Sequence, residues 1–362
     1  MRAPLLGAIT LHPSGGGIAV VSNLVWQVLV RNWGTEARLA TTFDHENRPA
    51  TLPEKARFAM AVGSAQLLHR TDWVLFSHLA LAQAQHYVPG KLRRPYAVML
   101  HGIEAWADWS SYEKRAVIAA DLRIASSHYT AKRVMDKHPD IGPVVTCPLA
   151  LPPALASRDG HGNPANPPAS VGRHAVLIVG RMSQFERYKG HDQLIDAWPA
   201  VVSRVPDAQL LIVGDGDDAS RLRNKAAQTL CGEQIRFLGY VSDATLQALY
   251  GQSALFALPS FGEGFGFVYL EAMMHRLPCI GSTHDAASGI IVDEVTGRLV
   301  DQRDIAGLSE AIASLLIDES RRHKMGEAGY ARATTEFTFD SYSVRLRALM
   351  ESAEAERVRL PQ

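Results

Sequence analysis

The run Ala175-Val176-Leu177-Ile178-Val179 has no polar member and stops at Gly180, and Leu210-Leu211-Ile212-Val213 stops in the same way at Gly214. Short apolar runs rich in β-branched residues do not alternate between a wet and a dry face, so they suit strands covered on both sides, as in a parallel sheet. The residues between them supply the cover. From Asp192 to Val205, Leu194, Ile195, Trp198, Val201, Val202 and Val205 recur at a helical period. The first half keeps the same rhythm: a strand near Leu6–Leu11, a helix from Ile18, then strands at Ala37–Thr42, Trp73–Phe76, Tyr96–Leu100, Leu122–Ala125 and Val144–Cys147. The fold class is α/β.

At 362 residues the chain is too long for one ordinary core. Residues 152–172 are rich in Pro, Gly, Asn and Ser, as an exposed linker is, and a hinge belongs there. The expected organisation is therefore a domain over 1–165, a second over 166–340, and a closing helix within 341–362. Hydrophobic residues at 47% argue that the whole chain folds. Cys147, Cys231 and Cys279 stand far apart with no paired spacing, which fits a reducing compartment and disfavours structural zinc. No secretory leader is apparent and no run approaches the roughly 18 apolar residues of a membrane span. Ile18–Val30 is broken by Ser22, Asn23 and Gln27 and reads as amphipathic.

Net charge is zero, but residues 1–165 hold 17 Lys and Arg against 12 Asp and Glu, and residues 166–362 hold 20 against 25. The basic first half, with clusters at Lys91, Arg93, Arg94 and at Lys132, Arg133, Lys137, could meet anionic headgroups or a diphosphate-linked acceptor; a solvated face explains it as well. Nucleic acid is not expected, because no aromatic motif interleaves the basic residues.

Two constellations carry chemistry in the second half. Ser260 to Glu271 sets Glu263 in a Gly- and Phe-rich loop and Glu271 in the helix that should follow. Glycines 262, 264 and 266 let backbone approach a ligand, free N–H groups at a helix start favour an anion, and a carboxylate can take two donors from a vicinal diol. Helix capping and solvation are the plain alternative. The second constellation is Gly180-Arg181 with Lys189-Gly190, two cations flanking the loop before a helix. Cations are poor partners for a helix start, so an anion shared with that helix explains them better than solvent does.

Gly214-Asp215-Gly216-Asp217-Asp218-Ala219 satisfies the dinucleotide pattern G-x-G-x-x-A after a strand. Its three carboxylates would repel a pyrophosphate, and the aspartates read instead as caps for a helix beginning near Ala219. In the first half, Ser14-Gly15-Gly16-Gly17 lies between the first strand and first helix, where either ligand approach or a tight turn would require glycine. His101-Gly102 closes the strand Tyr96–Leu100 at the edge where ligands of open α/β sheets bind, though such a histidine is often a satisfied core residue.

In order along the chain, Gly180-Arg181 with Lys189-Gly190, Leu211-Ile212-Val213-Gly214-Asp215-Gly216, Phe237 to Ser242, Glu263 to Glu271 and Glu294-Val295-Thr296-Gly297 resemble the nucleotide-sugar domain of the family 4 retaining glycosyltransferases. The similarity covers about 174–340; upstream only the glycine run and His101-Gly102 match well. The resemblance implies the GT-B fold, two Rossmann-like domains facing across a cleft with a C-terminal helix crossing back to the first. It implies transfer of a hexose from a nucleotide diphosphate sugar, of GDP-mannose or UDP-glucose type, to a glycan or lipid-linked acceptor in polysaccharide, lipopolysaccharide or glycolipid assembly. In that reading Arg181 and Lys189 hold the diphosphate without a metal or other cofactor, Glu263 orients sugar hydroxyls, and Glu271 takes the ribose. Backbone at Gly16, Gly17 and from Phe265 through Gly266 and Phe267 to Val268 meets phosphate and sugar, Tyr240 and Val241 lie beside the base, and His101 supports the sugar. The expected location is cytoplasmic, at or near the inner face of the membrane. A GT-B epimerase and a catalytically silent subunit of an assembly complex are the alternatives.

Overall fold

The computed structural model describes residues 3–12, 16–43, 50–153 and 171–359; Gly15 and most of the 152–172 linker fall outside these. The chain divides into two compact units, one running to Pro152 and resuming at Phe339, the other spanning Pro153–Thr338.

In the first unit the described residues form a six-stranded sheet from β1 (Pro4–Ala8), β2 (Arg38–Thr41), β3 (Trp73–Phe76), β4 (Tyr96–Leu100), β5 (Leu122–Ala125) and β6 (Val145–Thr146), in the order β2-β1-β3-β4-β5-β6. All pairings are parallel, for example Leu5 beside Arg38 and Val74. The non-alternating runs are buried from end to end: every residue of β3 and β4 is hidden, with Trp73 and Tyr96 among the largest side chains in the core. β1 stops three residues earlier than its apolar run suggests. The Ile9 carbonyl leaves the ladder to accept Thr42 and Phe43 N–H groups, and Thr10 Oγ1 turns the chain by accepting His12 N–H at 3.0 Å.

The helix Phe339–Arg359 belongs to this same unit. It buries Tyr342, Leu346 and Met350, and its polar side chains anchor it along the way. Asp340 pairs with Arg31, Ser343 Oγ accepts from Asn32 at 3.0 Å, Arg345 donates to the Pro148 carbonyl at 2.9 Å, and Glu354 accepts from the Trp73 indole.

The second unit repeats the architecture with β7 (Ala175–Val179), β8 (Gln209–Val213), β9 (Ile235–Gly239), β10 (Leu255–Ala257), β11 (Cys279–Ser282) and β12 (Gly297–Val300), ordered β12-β11-β10-β7-β8-β9 and again parallel. The helix His191–Arg204 packs the expected apolar face, with Leu194, Ile195, Trp198 and Val201 fully buried. Strand order turns outward in both directions from β7 and β10. The loops leaving the carboxyl ends of those two strands therefore diverge, and the crevice between them is where open α/β sheets bind ligands.

Candidate functional site

Both constellations read from the second half leave the sheet at that switch point: Gly180-Arg181 follows β7, and Pro259 to Gly266 follows β10. The glycines of the Gly214-Asp215-Gly216 turn after β8 are explained by packing. Gly214 has φ +129°, and a Cβ there would lie 2.0 Å from the Gly180 carbonyl oxygen, so only glycine lets the β8 loop pass beneath the β7 loop. The aspartates do not cap the helix Ala219–Ala227 as expected. Asp218 occupies the position before it without a capping bond, because its carboxylate is taken by Arg187 at 2.8 Å and Arg221 at 2.6 Å. Asp217 instead accepts the Gln184 N–H at 2.8 Å, and Asp215 the Gly216 N–H at 2.8 Å.

These bonds brace the 3-10 turn Gln184–Lys189 from behind. Arg221 also clasps Asp192 with both guanidinium nitrogens, at 2.8 and 2.7 Å, and Lys225 reaches Asp192 at 2.9 Å. Hydrogen bonds from Arg221, outweighing partial burial, hold the Asp192 and Asp218 carboxyls down at about 2. The front of the turn presents the two candidate phosphate ligands. Arg181 is exposed and lies against Glu186 at 2.5 Å. Lys189 is largely buried, and its Nζ donates to Glu263 Oε1 at 2.6 Å. Burial works to lower the Lys189 pKa, but the Glu263 and Tyr188 oxygens beside it overcome that and leave it raised. Tyr188 lies under Gly262, where a Cβ would come 2.5 Å from its ring, and burial pushes its phenol up to about 12.

After Glu263 the chain reaches Gly266 at φ +93°, where a Cβ would strike the Tyr269 ring at 2.6 Å, and enters the helix Phe267–Met274. The first N–H groups of a helix have no carbonyl behind them, so those of Phe267 and Val268 have no partner within this helix. Phe265 is itself core, edge-on to Phe267 and Phe337, so its side chain is not available to a ligand. Glu271, one turn into the helix, accepts the Tyr250 hydroxyl at 3.1 Å. Tyr250 is fully buried and stacked on His275, so it aims that carboxylate. Tyr240, 85% exposed, and half-buried Val241 follow β9.

Gly16, Gly17 and His101 belong to the other unit. Gly16 and Gly17 open the helix Gly16–Trp33, and a Cβ at either would meet nothing within 4 Å. His101 follows β4; its Nε2 sits 2.6 Å from the Ser77 carbonyl oxygen, which can only accept, so Nε2 carries a proton there, while its buried Nδ1 has no hydrogen-bond partner among the described residues. Ser77 Oγ in turn bonds Ser22 Oγ of the first helix at 2.8 Å, and Glu104 fixes the turn by accepting the His101 and Gly102 N–H groups at 2.7 and 3.1 Å. Of the basic clusters, Lys132 is paired with Asp136 and Lys137 with Asp108, while Arg133 lies over the Trp106 ring at 4.4 Å.

Within the second unit, then, Lys189 and Glu263 come together directly from two loops, Arg181 shares the loop of Lys189, and Glu271 lies one turn along the helix. Sequence reasoning missed the partners: Glu186, Arg187, Tyr250 and the Asp192–Arg221–Asp218 brace. Apart from the Arg221–Asp218 pair, one helical turn apart, they act across 5 to 31 residues, so local spacing does not mark them.

The family described as Glycosyl transferases group 1 matches residues 167–332. Among curated proteins, the chain is 36% identical over 182 residues to a GDP-mannose-dependent monoacylated alpha-(1-6)-phosphatidylinositol monomannoside mannosyltransferase of Corynebacterium glutamicum, covering 48% of this chain and 47% of that protein. It is 39% identical over 155 residues to a phosphatidyl-myo-inositol mannosyltransferase of Mycobacterium leprae, covering 42% and 40%. The chain thus spans about half the length of the curated relatives it matches. Among solved structures, HepE of Anabaena in complex with UDP superposes with a TM-score of 0.72 at 18% identity, over 97% of this chain and 100% of that one. The fold of the chain is GT-B, and its residues 167–332 match the family of glycosyl transferases group 1.

Proposed function

We propose that this protein transfers a hexose from a nucleotide diphosphate sugar to a hydroxyl of a lipid-linked glycan or glycolipid, with retention at the sugar carbon and without a metal or other cofactor. The observation that carries the reading is the Lys189–Glu263 pair at the sheet's switch point, with Arg181 on the same loop and a helix start beside it. Charge grows on the leaving diphosphate during transfer. Two cations and a row of backbone N–H groups stabilise it without reorganising, a task given to a metal ion in many other enzymes. Glu263 then orients sugar hydroxyls, Glu271 the ribose, and the leaving phosphate oxygen takes the acceptor proton on the same face.

The GDP-mannose dependence of the Corynebacterium relative favours GDP-mannose over the UDP-glucose type as donor, and both relatives favour a phosphatidylinositol-based acceptor. A lipid acceptor would bring the protein to a membrane surface. Among the described residues no helix is long and apolar enough to cross one, so contact would be peripheral, and exposed Lys91 with Arg93 and Arg94 is the better basic cluster for it, since Lys132 and Lys137 are already paired. The test is to incubate purified protein in EDTA with GDP-mannose or UDP-glucose, with and without phosphatidylinositol vesicles. Sugar transfer to lipid, with the anomeric configuration retained by NMR, is the expected result. Slow donor hydrolysis alone would indicate a different acceptor, an isomerised nucleotide sugar would indicate an epimerase, and an inert donor would leave the silent-subunit alternative.

A further inference from the structure

One buried carboxyl group beside the crevice has no part in the reading above. Asp285, three residues past β11, is fully buried. Its Oδ1 accepts the Ala287 N–H at 2.9 Å, and no donor among the described residues reaches its Oδ2, which is also closed to solvent. The neighbouring peptide holds the candidate sugar ligand by its main chain: Ala286 N–H donates to the Glu263 carbonyl at 3.1 Å. From the β10 side, fully buried Ser260 accepts the Gly262 N–H at 3.1 Å, so the turn carrying Glu263 is gripped from both directions.

A carboxylate in this place would be doubly disfavoured. Burial, with the charge of Glu263 added to it, drives the Asp285 carboxyl well above the usual carboxylate range against the pull of the Ala287 and Glu263 N–H groups and the Ser260 hydroxyl.

We propose that Asp285 is a positioning residue for Glu263: its buried carboxyl holds the Ala286–Ala287 turn through the Ala287 N–H, and that turn in turn grips the Glu263 carbonyl from behind. The inference rests on the nucleotide-sugar reading and deepens it: Asp285 touches neither the nucleotide nor the diphosphate, and acts on the sugar only through Glu263.

The test uses the purified full chain and the variants Asp285→Asn and Asp285→Ala, with calorimetric binding of GDP and GDP-mannose, UDP and UDP-glucose, and kcat and KM for the donor that is turned over. Asp285→Ala should bind the free nucleoside diphosphate as the wild type does, yet lose about tenfold or more in affinity for the intact donor and in kcat. Asp285→Asn, matched in shape and keeping an oxygen to accept the Ala287 N–H, should restore both to within about threefold. Damage by Asp285→Asn as large as that by alanine would mean that this bond does not position Glu263 and would overturn the proposal. So would equal loss of nucleoside diphosphate and nucleotide sugar in Asp285→Ala, the mark of a scaffold residue. Should the alanine variant fail to fold, the asparagine variant decides: near-native donor binding and kcat support the proposal, a tenfold loss overturns it. Failure of the wild type to bind any of the four ligands would instead reject the functional reading, and this inference with it.

Discussion

Lys189 Nζ and Glu263 Oε1 meet at 2.6 Å across 74 residues of sequence, with only 15% and 17% of their side chains exposed. The cation assigned to the diphosphate and the carboxylate assigned to the sugar are thus each other's partner before any ligand arrives. Arg181 is held in the same way by Glu186. Donor binding on this account is an exchange in which phosphate oxygens replace carboxylates around the two cations, and Glu263 is released toward sugar hydroxyls.

The two cations should therefore behave differently when removed. Lys189→Met leaves Glu263 largely buried without its partner and should cost about 2 kcal/mol of stability. Arg181→Ala removes an exposed pair and should cost little. Each should lower turnover on the order of 10²-fold, as loss of one preorganised electrostatic donor does. Adding Glu263→Gln to Lys189→Met should recover stability in urea unfolding without recovering activity; no recovery would mean that the pair is incidental.

The two glutamates of the motif should separate by ligand. Glu271→Gln should weaken free GDP or UDP by roughly 1.5–3 kcal/mol, the loss of a charged hydrogen bond. Tyr250→Phe, which removes the hydroxyl aiming Glu271, should show a smaller loss in the same direction. Glu263→Gln should spare the nucleoside diphosphate and impair the intact sugar donor. Calorimetry on the three variants decides, and parallel losses in Glu263→Gln and Glu271→Gln would end the division of labour.

Stability should respond to pH through His191, which is 3% exposed with an unpartnered Nε2. Burial first, and then the adjacent Lys189 charge, pushes its pKa down to about 4 against the pull of Asp192 and Asp218. Below an unfolded value of about 6.5 the unfolded chain binds a proton that the folded one refuses. Stability is thus fully present above pH ~6.5 and is lost as pH falls toward 4, by about 3 kcal/mol at most. His191→Leu should flatten that fall in the unfolding midpoint between pH 7 and 4.5; an unchanged fall would place the acid sensitivity elsewhere.

Two glycines that look alike in sequence should part company. Gly214→Ala drives a Cβ into the Gly180 carbonyl at φ +129° and should cost about 2 kcal/mol or more. Gly17→Ala faces open space at a helix start and should leave stability unchanged or slightly raised. If backbone at Gly17 approaches the donor or acceptor, its added methyl will still lower turnover. Urea unfolding and kcat for the two variants show whether packing and function are divided in this way.

The sheets were legible because their strands are short and mostly apolar, and the central ones β3, β4 and β7 wholly so; β3, β4 and β5 lie where Trp73–Phe76, Tyr96–Leu100 and Leu122–Ala125 read as strands. Strand ends were less so, since β1 yields at Ile9 to bonds from Thr42 and Phe43 that only the assembled sheet supplies. Arg181, Lys189, Glu263 and Glu271 stood out by residue type and spacing. Their partners did not: Asp218 reads locally as a helix cap, and the fold brings Arg187 across 31 residues to join Arg221, one helical turn on, in taking its carboxylate. Tyr250 and Asp285 look like ordinary members of a helix and a turn until the sheet places one under Glu271 and the other behind Glu263.

The account rests on Arg181 and Lys189 carrying the diphosphate unaided. The direct measurement is calorimetric titration of GDP and UDP into the wild type, Arg181→Ala and Lys189→Ala, all in EDTA. The wild type should bind at least one of the two nucleotides under chelation, and each variant should bind it about 10- to 100-fold more weakly. Binding that appears only on adding Mg²⁺ or Mn²⁺, or variants that bind as tightly as the wild type, would contradict it.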